Sequence, residues 1–274
     1  SASAPISSRL VKMRALQRTS TVQKGKIWPL VTSPWLHAGV IHLIVNLSSI
    51  TLLGNRLEQE FGPLRAAIIY LLSALMGSVT SAVFVQHIPA VGSSGALFGL
   101  LGAMLAGLIR NWKIYIAKFS ALTMIGFVAA INFCIGLLPF ADNFSSIGGF
   151  LSGILLGVVL LFNPQLSIME RKKGLFDYDL NRSVKLKQKL DKPISRIIAL
   201  LLFIMILAGG LVAVVCGINA SKHCQWCQSI NCVQTKIWRC DERAPDCEAT
   251  VSDGRLTLTC LVSDKFRTYP FANV

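Results

Sequence analysis

Six long apolar segments that contain no lysine or arginine dominate this sequence of 274 residues. Hydrophobic residues make up 53% of the chain and charged residues only 15%, and the mean hydropathy is +0.58. A soluble domain of this length is far less apolar. The sequence therefore predicts an all-α membrane protein, a helical bundle with six spans at about 38–54, 66–85, 94–109, 119–138, 147–162 and 197–218.

The six segments differ in length. A straight helix crosses the hydrocarbon layer in about 20 residues, so the second, fourth and sixth segments are long enough to span it. The first, third and fifth segments hold only 16–17 residues. We expect these three either to fall short of one membrane face or to begin inside the membrane, where protein shields their ends. They also carry the unusual polar residues of the chain.

Positive charge alternates between the interior loops. The loops 55–65, 110–118 and 163–196 together hold 14 lysines and arginines. The two loops that lie between them, 86–93 and 139–146, hold none. Basic loops remain in the cytoplasm, so the first three are predicted to be cytoplasmic and the tail 219–274 luminal or extracellular. The net charge of +14 is then a feature of membrane topology. The basic loop 163–196 is predicted to lie against anionic lipid of the bilayer, and no nucleic-acid partner is expected.

The N-terminal segment 1–37 departs from this pattern. It carries six basic residues and no acidic one, yet the alternation places it on the luminal side. A further span upstream of Ser1 would set the orientation before this segment is reached, and we expect such a span.

The tail 219–274 holds six of the eight cysteines. On an oxidising side of the membrane, six cysteines in so short a segment predict up to three disulfides, with 15 possible pairings. The alternative is a zinc site that includes the Cys224-x-x-Cys227 pair, but zinc–cysteine sites favour reducing compartments. We therefore expect no metal and no cofactor. The disulfide candidates are Cys224, Cys227, Cys232, Cys240, Cys247 and Cys260.

A serine flanked by glycines opens the third apolar segment, in the stretch from Gly92 to Gly99 with Ser94 and Gly95 between them. A hydroxyl at membrane depth needs a partner or a function. Two interpretations are equally compatible with the stretch alone. It is either a small-residue motif for helix packing or the site of a nucleophile.

The first and fifth segments carry the other unusual residues. His37, His42 and Asn46 are costly in an apolar helix unless they face a polar interior, where they could join helices or donate to a developing oxyanion. Glu58 follows at the predicted cytoplasmic boundary as a cap or tether. The fifth segment has glycines at every fourth position, which permits close helix approach, and its predicted partner is the helix that begins at Ser94. This stripe comprises Gly149, Gly153 and Gly157.

Together these patterns resemble the rhomboid intramembrane serine proteases, and especially the plant rhomboid-like proteins of the secretory pathway. The resemblance covers roughly Trp28 to Ile218. It implies that Ser94 is the nucleophile position, and that His42, Asn46 and the backbone N–H of Ser94 form the oxyanion hole. It also implies a family span before the start of this chain. The motifs are His37-x4-His42-x3-Asn46, Gly54-x3-Glu58-x3-Gly62, Gly92-x-Ser94-Gly95-x2-Phe98-Gly99 and Gly149-x3-Gly153-x3-Gly157.

The resemblance fails at the position of the catalytic histidine. The family has this histidine two residues before the Gly-Gly pair of the fifth segment, where this chain has Ser146. The chain has four histidines, and none lies in that segment. A neutral hydroxyl has almost no basicity at pH 7, so Ser146 cannot activate Ser94. A second departure is Trp28-Pro29, where family members usually have Trp-Arg.

These features predict an inactive rhomboid-type homologue that binds or regulates single-span membrane proteins without cleaving them. An active serine endopeptidase that uses Ser94 and a non-standard base is the alternative, and a purely structural descendant without a client is the third possibility. We expect a multi-pass protein of the secretory pathway, in the Golgi, a related endomembrane or the plasma membrane.

Overall fold

The computed structural model describes six helical stretches, part of the tail and the backbone of three strands. The described residues are 28–37, 39–85, 91–112, 117–136, 142–161, 193–218, 220–224, 227, 230, 247–252, 255–260 and 265–270.

Seven α-helices make up the described bundle. A short helix and a 3₁₀ turn, Ser33–Trp35, precede six long apolar helices. The helices are α1 (Pro29–Thr32), α2 (Val40–Phe61), α3 (Pro63–Phe84), α4 (Ser94–Arg110), α5 (Lys118–Gly136), α6 (Asn143–Leu160) and α7 (Pro193–Val215). Five of them are long and apolar enough to cross a membrane, and α4, with 17 residues, is shorter. The predicted helical membrane bundle is confirmed.

Helix α4 forms the centre of the bundle. Its residues are buried along almost the whole length, and its main neighbours are α6 and α3. By contrast, α2, α5 and α7 expose large apolar side chains outward, as helices that face lipid do. A short, fully enclosed helix is possible because neighbouring helices, and not lipid, surround its ends.

Helix α2 continues seven residues beyond the segment end predicted at Gly54. Leu53, Leu57 and Phe61 recur at every fourth position and are all buried, so one face of the helix packs inward although charged residues lie between them. The helix ends at Gly62, whose φ of 95° leaves the helical region. The first segment is therefore a helix of 22 residues, and the expectation that it is short was wrong.

Helix α6 begins four residues before the predicted start at 147. The side chain of Asp142 accepts a hydrogen bond from the backbone N–H of Phe144, 2.9 Å away, and so caps the helix. Polar residues near a helix start lower the local hydropathy without preventing helix formation. Ser145 and Ser146 consequently lie in the first turn of α6 and are buried.

Helices α4 and α6 are parallel and touch through their backbones. A Cβ atom added to any of three glycines of α6 would collide with the backbone of α4. Such close approach is possible only where side chains are absent. The predicted pairing of the glycine stripe with the helix that begins at Ser94 is confirmed. The contacts are Gly149 with Gly95, Gly153 with Gly99 and Gly157 with Ala103.

Two arginines mark one end of the bundle. Arg110 donates to the carbonyl oxygen of Val158 at 3.1 Å, and Arg196 donates to that of Val159 at 3.2 Å. Both carbonyls belong to the last turn of α6, where the helix dipole favours positive charge. The first turns of α4 and α6 therefore lie at the end of the bundle away from these arginines.

The tail contributes a second kind of structure that the sequence analysis did not predict. Three antiparallel strands form a sheet in the order β1-β2-β3: β1 (Cys247–Ser252), β2 (Arg255–Cys260) and β3 (Lys265–Pro270). Cys247 is the register partner of Cys260. Cys224 and Cys227 form a disulfide, whereas Cys232 and Cys240 lie outside the described residues.

The helix contact predicts a sharp difference between two identical substitutions. Glycine to alanine stabilises an open helical position by about 1 kcal/mol. Gly126→Ala on α5 meets nothing within 4 Å and should be neutral or slightly stabilising. Gly153→Ala should instead lower the free energy of unfolding by about 1–3 kcal/mol, because its methyl group overlaps the carbonyl of Gly99. Unfolding in mixed detergent micelles measures both, and equal stability of the two variants would refute the backbone contact.

Candidate functional site

The site is built around the turn that leads into α4. Gly92 has a φ of 119°, a conformation that glycine adopts easily, and its N–H donates to the carbonyl oxygen of Ser33 at 3.2 Å. Ser93 is the N-cap residue, and Ser94 is the first residue of α4. The first N–H groups of a helix have no partner within it, so this turn presents free backbone donors.

His42 and Asn46 face this turn from α2. A Cβ atom on Gly92 would lie 3.0 Å from His42 Cε1 and 3.9 Å from Asn46 Nδ2. The two residues are one helical turn apart, which explains why they share a face. The structure thus brings His42 and Asn46 beside the turn Gly92–Ser94, as the resemblance implies for an oxyanion hole.

The amide of Asn46 is an available hydrogen-bond donor. Its side chain is only 2% exposed, and no group among the described residues accepts a hydrogen bond from its Nδ2. A buried amide without a partner costs about 1–3 kcal/mol. This cost is typical of a group positioned for something other than stability, such as a carbonyl oxygen of a bound chain.

His37 contacts the same turn from the segment before α2. Its Nε2 lies 3.3 Å from Ser93 Oγ, and its ring meets the ring of His42 edge-on with centroids 5.6 Å apart. Burial lowers the pKa of the His37 ring below its ordinary value, and a hydrogen bond with the backbone of Trp35 partly opposes this. Sequence reasoning did not single out Ser93, because two adjacent serines give no signal as to which one meets a histidine.

The start of α6 forms the remaining side of the site. Ser145 Oγ would lie 2.8 Å from a Cβ atom on Gly95 and 2.7 Å from one on Gly77, so this hydroxyl fills the junction of α3, α4 and α6. Ser146 is the next residue along the helix and is 2% exposed. Sequence reasoning named Ser146 from the family motif and missed Ser145, whose role depends on a contact between three helices.

Glu58 and Gly62 are remote from this site. Glu58 lies about 24 Å along α2 from His42, at a rise of about 1.5 Å per residue, and Gly62 follows at the end of the helix. The carbonyl oxygen of Glu58 accepts a hydrogen bond from the N–H of Gly62 at 2.8 Å, and its side chain is exposed. This backbone hydrogen bond between Gly62 and Glu58 caps the C-terminal end of α2.

The position of His37 predicts that acid weakens the folded state. A histidine whose pKa is lowered on folding contributes stability above its unfolded pKa, and this contribution is lost as the pH falls through the folded pKa. Thermal unfolding in detergent from pH 7.5 to 4.5 should therefore show a falling midpoint. The fall should be smaller in His37→Gln, which has no ionisable ring, and an identical pH dependence in both proteins would contradict this prediction.

Comparison with known proteins agrees with this geometry. The Rhomboid domain family model matches residues 24–163. The chain is 49% identical over 246 residues to "Inactive RHOMBOID-like protein 8" of Arabidopsis thaliana, covering 89% of this chain and 70% of that protein. It is 41% identical over 269 residues to "RHOMBOID-like protein 1" of Arabidopsis thaliana, covering 98% and 69%.

A more distant relative is "Inactive rhomboid protein 1" of Danio rerio, at 32% identity over 208 residues, 76% of this chain and 22% of that protein. The relatives therefore include proteins named as inactive as well as proteins named without that word. With the helical bundle, the glycine contact and the arrangement around Ser94, these matches identify the chain as a member of the rhomboid family.

Proposed function

We propose that this chain is a catalytically inactive rhomboid that binds single-span membrane proteins at the site around Ser94 and leaves them intact. The observation that carries the proposal is the first turn of α6. Ser145 and Ser146 lie there, and α6 contains no histidine. In this proposal, Ser146 takes the family position of the general base, so that a hydroxyl stands in place of the histidine.

The loss of the base has a large kinetic consequence. A serine hydroxyl becomes an effective nucleophile only when a neighbouring base accepts its proton. Removal of either member of a serine–histidine pair typically lowers kcat by a factor on the order of 10⁶. What remains is binding and the stabilisation that an oxyanion hole supplies. Two relatives named as inactive support the same interpretation.

The binding role is supported by what the site retains. The buried Nδ2 donor of Asn46 and the free N–H groups of the first turn of α4 can receive a carbonyl oxygen of an extended chain. A single-span client that unwinds at the membrane boundary offers such carbonyls. Polar donors enclosed by an apolar bundle therefore suit a membrane protein as the partner.

The membrane orientation completes the proposal. Arg110 and Arg196 lie at the end of α6 away from the site. If basic ends are cytoplasmic, the site and the tail face the lumen or the exterior. The disulfide between Cys224 and Cys227 is compatible with an oxidising compartment, and we propose a membrane of the secretory pathway.

An active endopeptidase is the second candidate. It is favoured by one observation, the approach of His42 to Gly92, at 3.0 Å from the Cβ position. This imidazole could accept the proton of Ser94, but it would then no longer be available as a neutral donor to the oxyanion. The two candidate functions differ in one prediction: a binding protein leaves its client intact, whereas an endopeptidase cleaves it.

Photocrosslinking in native membranes tests the binding proposal. A photoreactive residue replaces Trp35, which is 65% exposed beside the site, or Phe127, which is 66% exposed on α5. Co-expressed single-span proteins should crosslink intact at position 35 and not at position 127. Asn46→Leu should reduce crosslinking several-fold because it removes the buried donor.

Asn55→Leu is the matched control, since it makes the same change at an exposed position of α2. Crosslinking that is equal at positions 35 and 127, or equally reduced by both Leu substitutions, would refute binding at this site. A client fragment that disappears in Ser94→Ala would favour the endopeptidase instead.

A further inference from the structure

A serine–histidine pair exists in this chain, but it does not involve Ser94. The two residues are 56 positions apart, and Ser93 Oγ lies 3.3 Å from His37 Nε2. This is close to the separation expected of a nucleophile and its base, which is often looser when no substrate is bound. Ser93 is the unspecified position of the motif Gly92-x-Ser94, so its pairing with His37 is visible only in the folded chain.

The surroundings of His37 favour the tautomer that a general base needs. The ring also forms a hydrogen bond with the backbone of Trp35. A carbonyl oxygen can only accept, so the ring nitrogen that faces it carries the hydrogen. With Nδ1 as that nitrogen, the Nε2 atom that faces Ser93 is unprotonated and can accept from the hydroxyl. Nucleophile, base and an orienting acceptor are arranged in sequence, as in serine hydrolases.

Donors for a developing oxyanion are present beside this pair. Asn46 Nδ2 is buried, has no acceptor among the described residues and lies 3.9 Å from the Cβ position of Gly92, the residue before Ser93. The N–H groups in the first turn of α4 follow Ser93 directly. A tetrahedral group on Ser93 Oγ would therefore form next to several hydrogen-bond donors.

We propose that Ser93, with His37 as its general base, is a second nucleophilic site that takes a small acyl group from a carboxylic ester. Ser93 is only 4% exposed, so a small acyl group suits this hydroxyl better than a bulky one. The reaction is independent of Ser94. It is therefore compatible with a protein that binds membrane proteins without cleaving them.

The step is an ordinary acyl transfer. Ser93 Oγ attacks the ester carbonyl carbon while its proton passes to His37 Nε2. The carbon–oxygen bond to the leaving alcohol breaks, and the alcohol oxygen takes the proton from His37. Water then attacks the acyl-serine, gives one proton to His37 and releases the carboxylic acid, and Ser93 regains its proton.

A small alkyl fluorophosphonate tests the proposal, because it traps an activated serine. Ser93 Oγ forms a bond to phosphorus, fluoride leaves with the electron pair, and the proton goes to His37. The full chain in native membranes is labelled, and tandem mass spectrometry locates the adduct. We expect the wild-type adduct on Ser93, a labelling rate at least about 100-fold lower in His37→Gln, and no adduct in Ser93→Ala.

Ser120→Ala is the matched control, because Ser120 is an exposed serine of α5 away from the pair, and it should label at the wild-type rate. Unfolding midpoints confirm that each variant is folded. The position of the adduct in the wild-type protein tests the proposal even if a variant is unstable. An adduct on Ser94, or no adduct on either serine, would overturn the proposal.

Discussion

The whole site depends on the contact of two backbones. Helices α4 and α6 approach so closely that no side chain fits between Gly99 and Gly153. This contact fixes the first turn of α6 against the turn that carries Ser93 and Ser94. Because the bundle interior is apolar, every polar group placed there is enclosed and its hydrogen bonds matter. The glycines therefore determine which polar side chains can meet at all.

The site contains hydrogen-bond donors beside Gly92, and helix α6 contains no histidine. His42 and Asn46 remain beside Gly92, and the amide of Asn46 has no acceptor among the described residues. In our proposal, Ser146 takes the position at which the family has a histidine. A buried donor without an acceptor is costly, and in our proposal the amide of Asn46 serves to bind a carbonyl oxygen of a client chain.

Much of the fold and of the site follows from the sequence, because apolar length, charge alternation and the glycine stripe each have one dominant physical cause. The rest depends on packing between distant segments. Helix α2 extends to Phe61 because its inward face continues past the charges that end the apolar segment. The roles of Ser93 and Ser145 arise from contacts that no local pattern contains. The strands Cys247–Ser252 and Arg255–Cys260 do alternate polar and apolar residues, and the sequence analysis, which treated the tail by its cysteines, overlooked this pattern.

We propose that the absence of one base makes an otherwise formed site inactive. The most direct test is cleavage of a generic single-span rhomboid substrate by the intact protein, as wild type and as Ser146→His. We expect that the wild type leaves the substrate whole and that Ser146→His cleaves it, because the histidine restores the proton acceptor for Ser94. Cleavage by the wild type that stops in Ser94→Ala would contradict it.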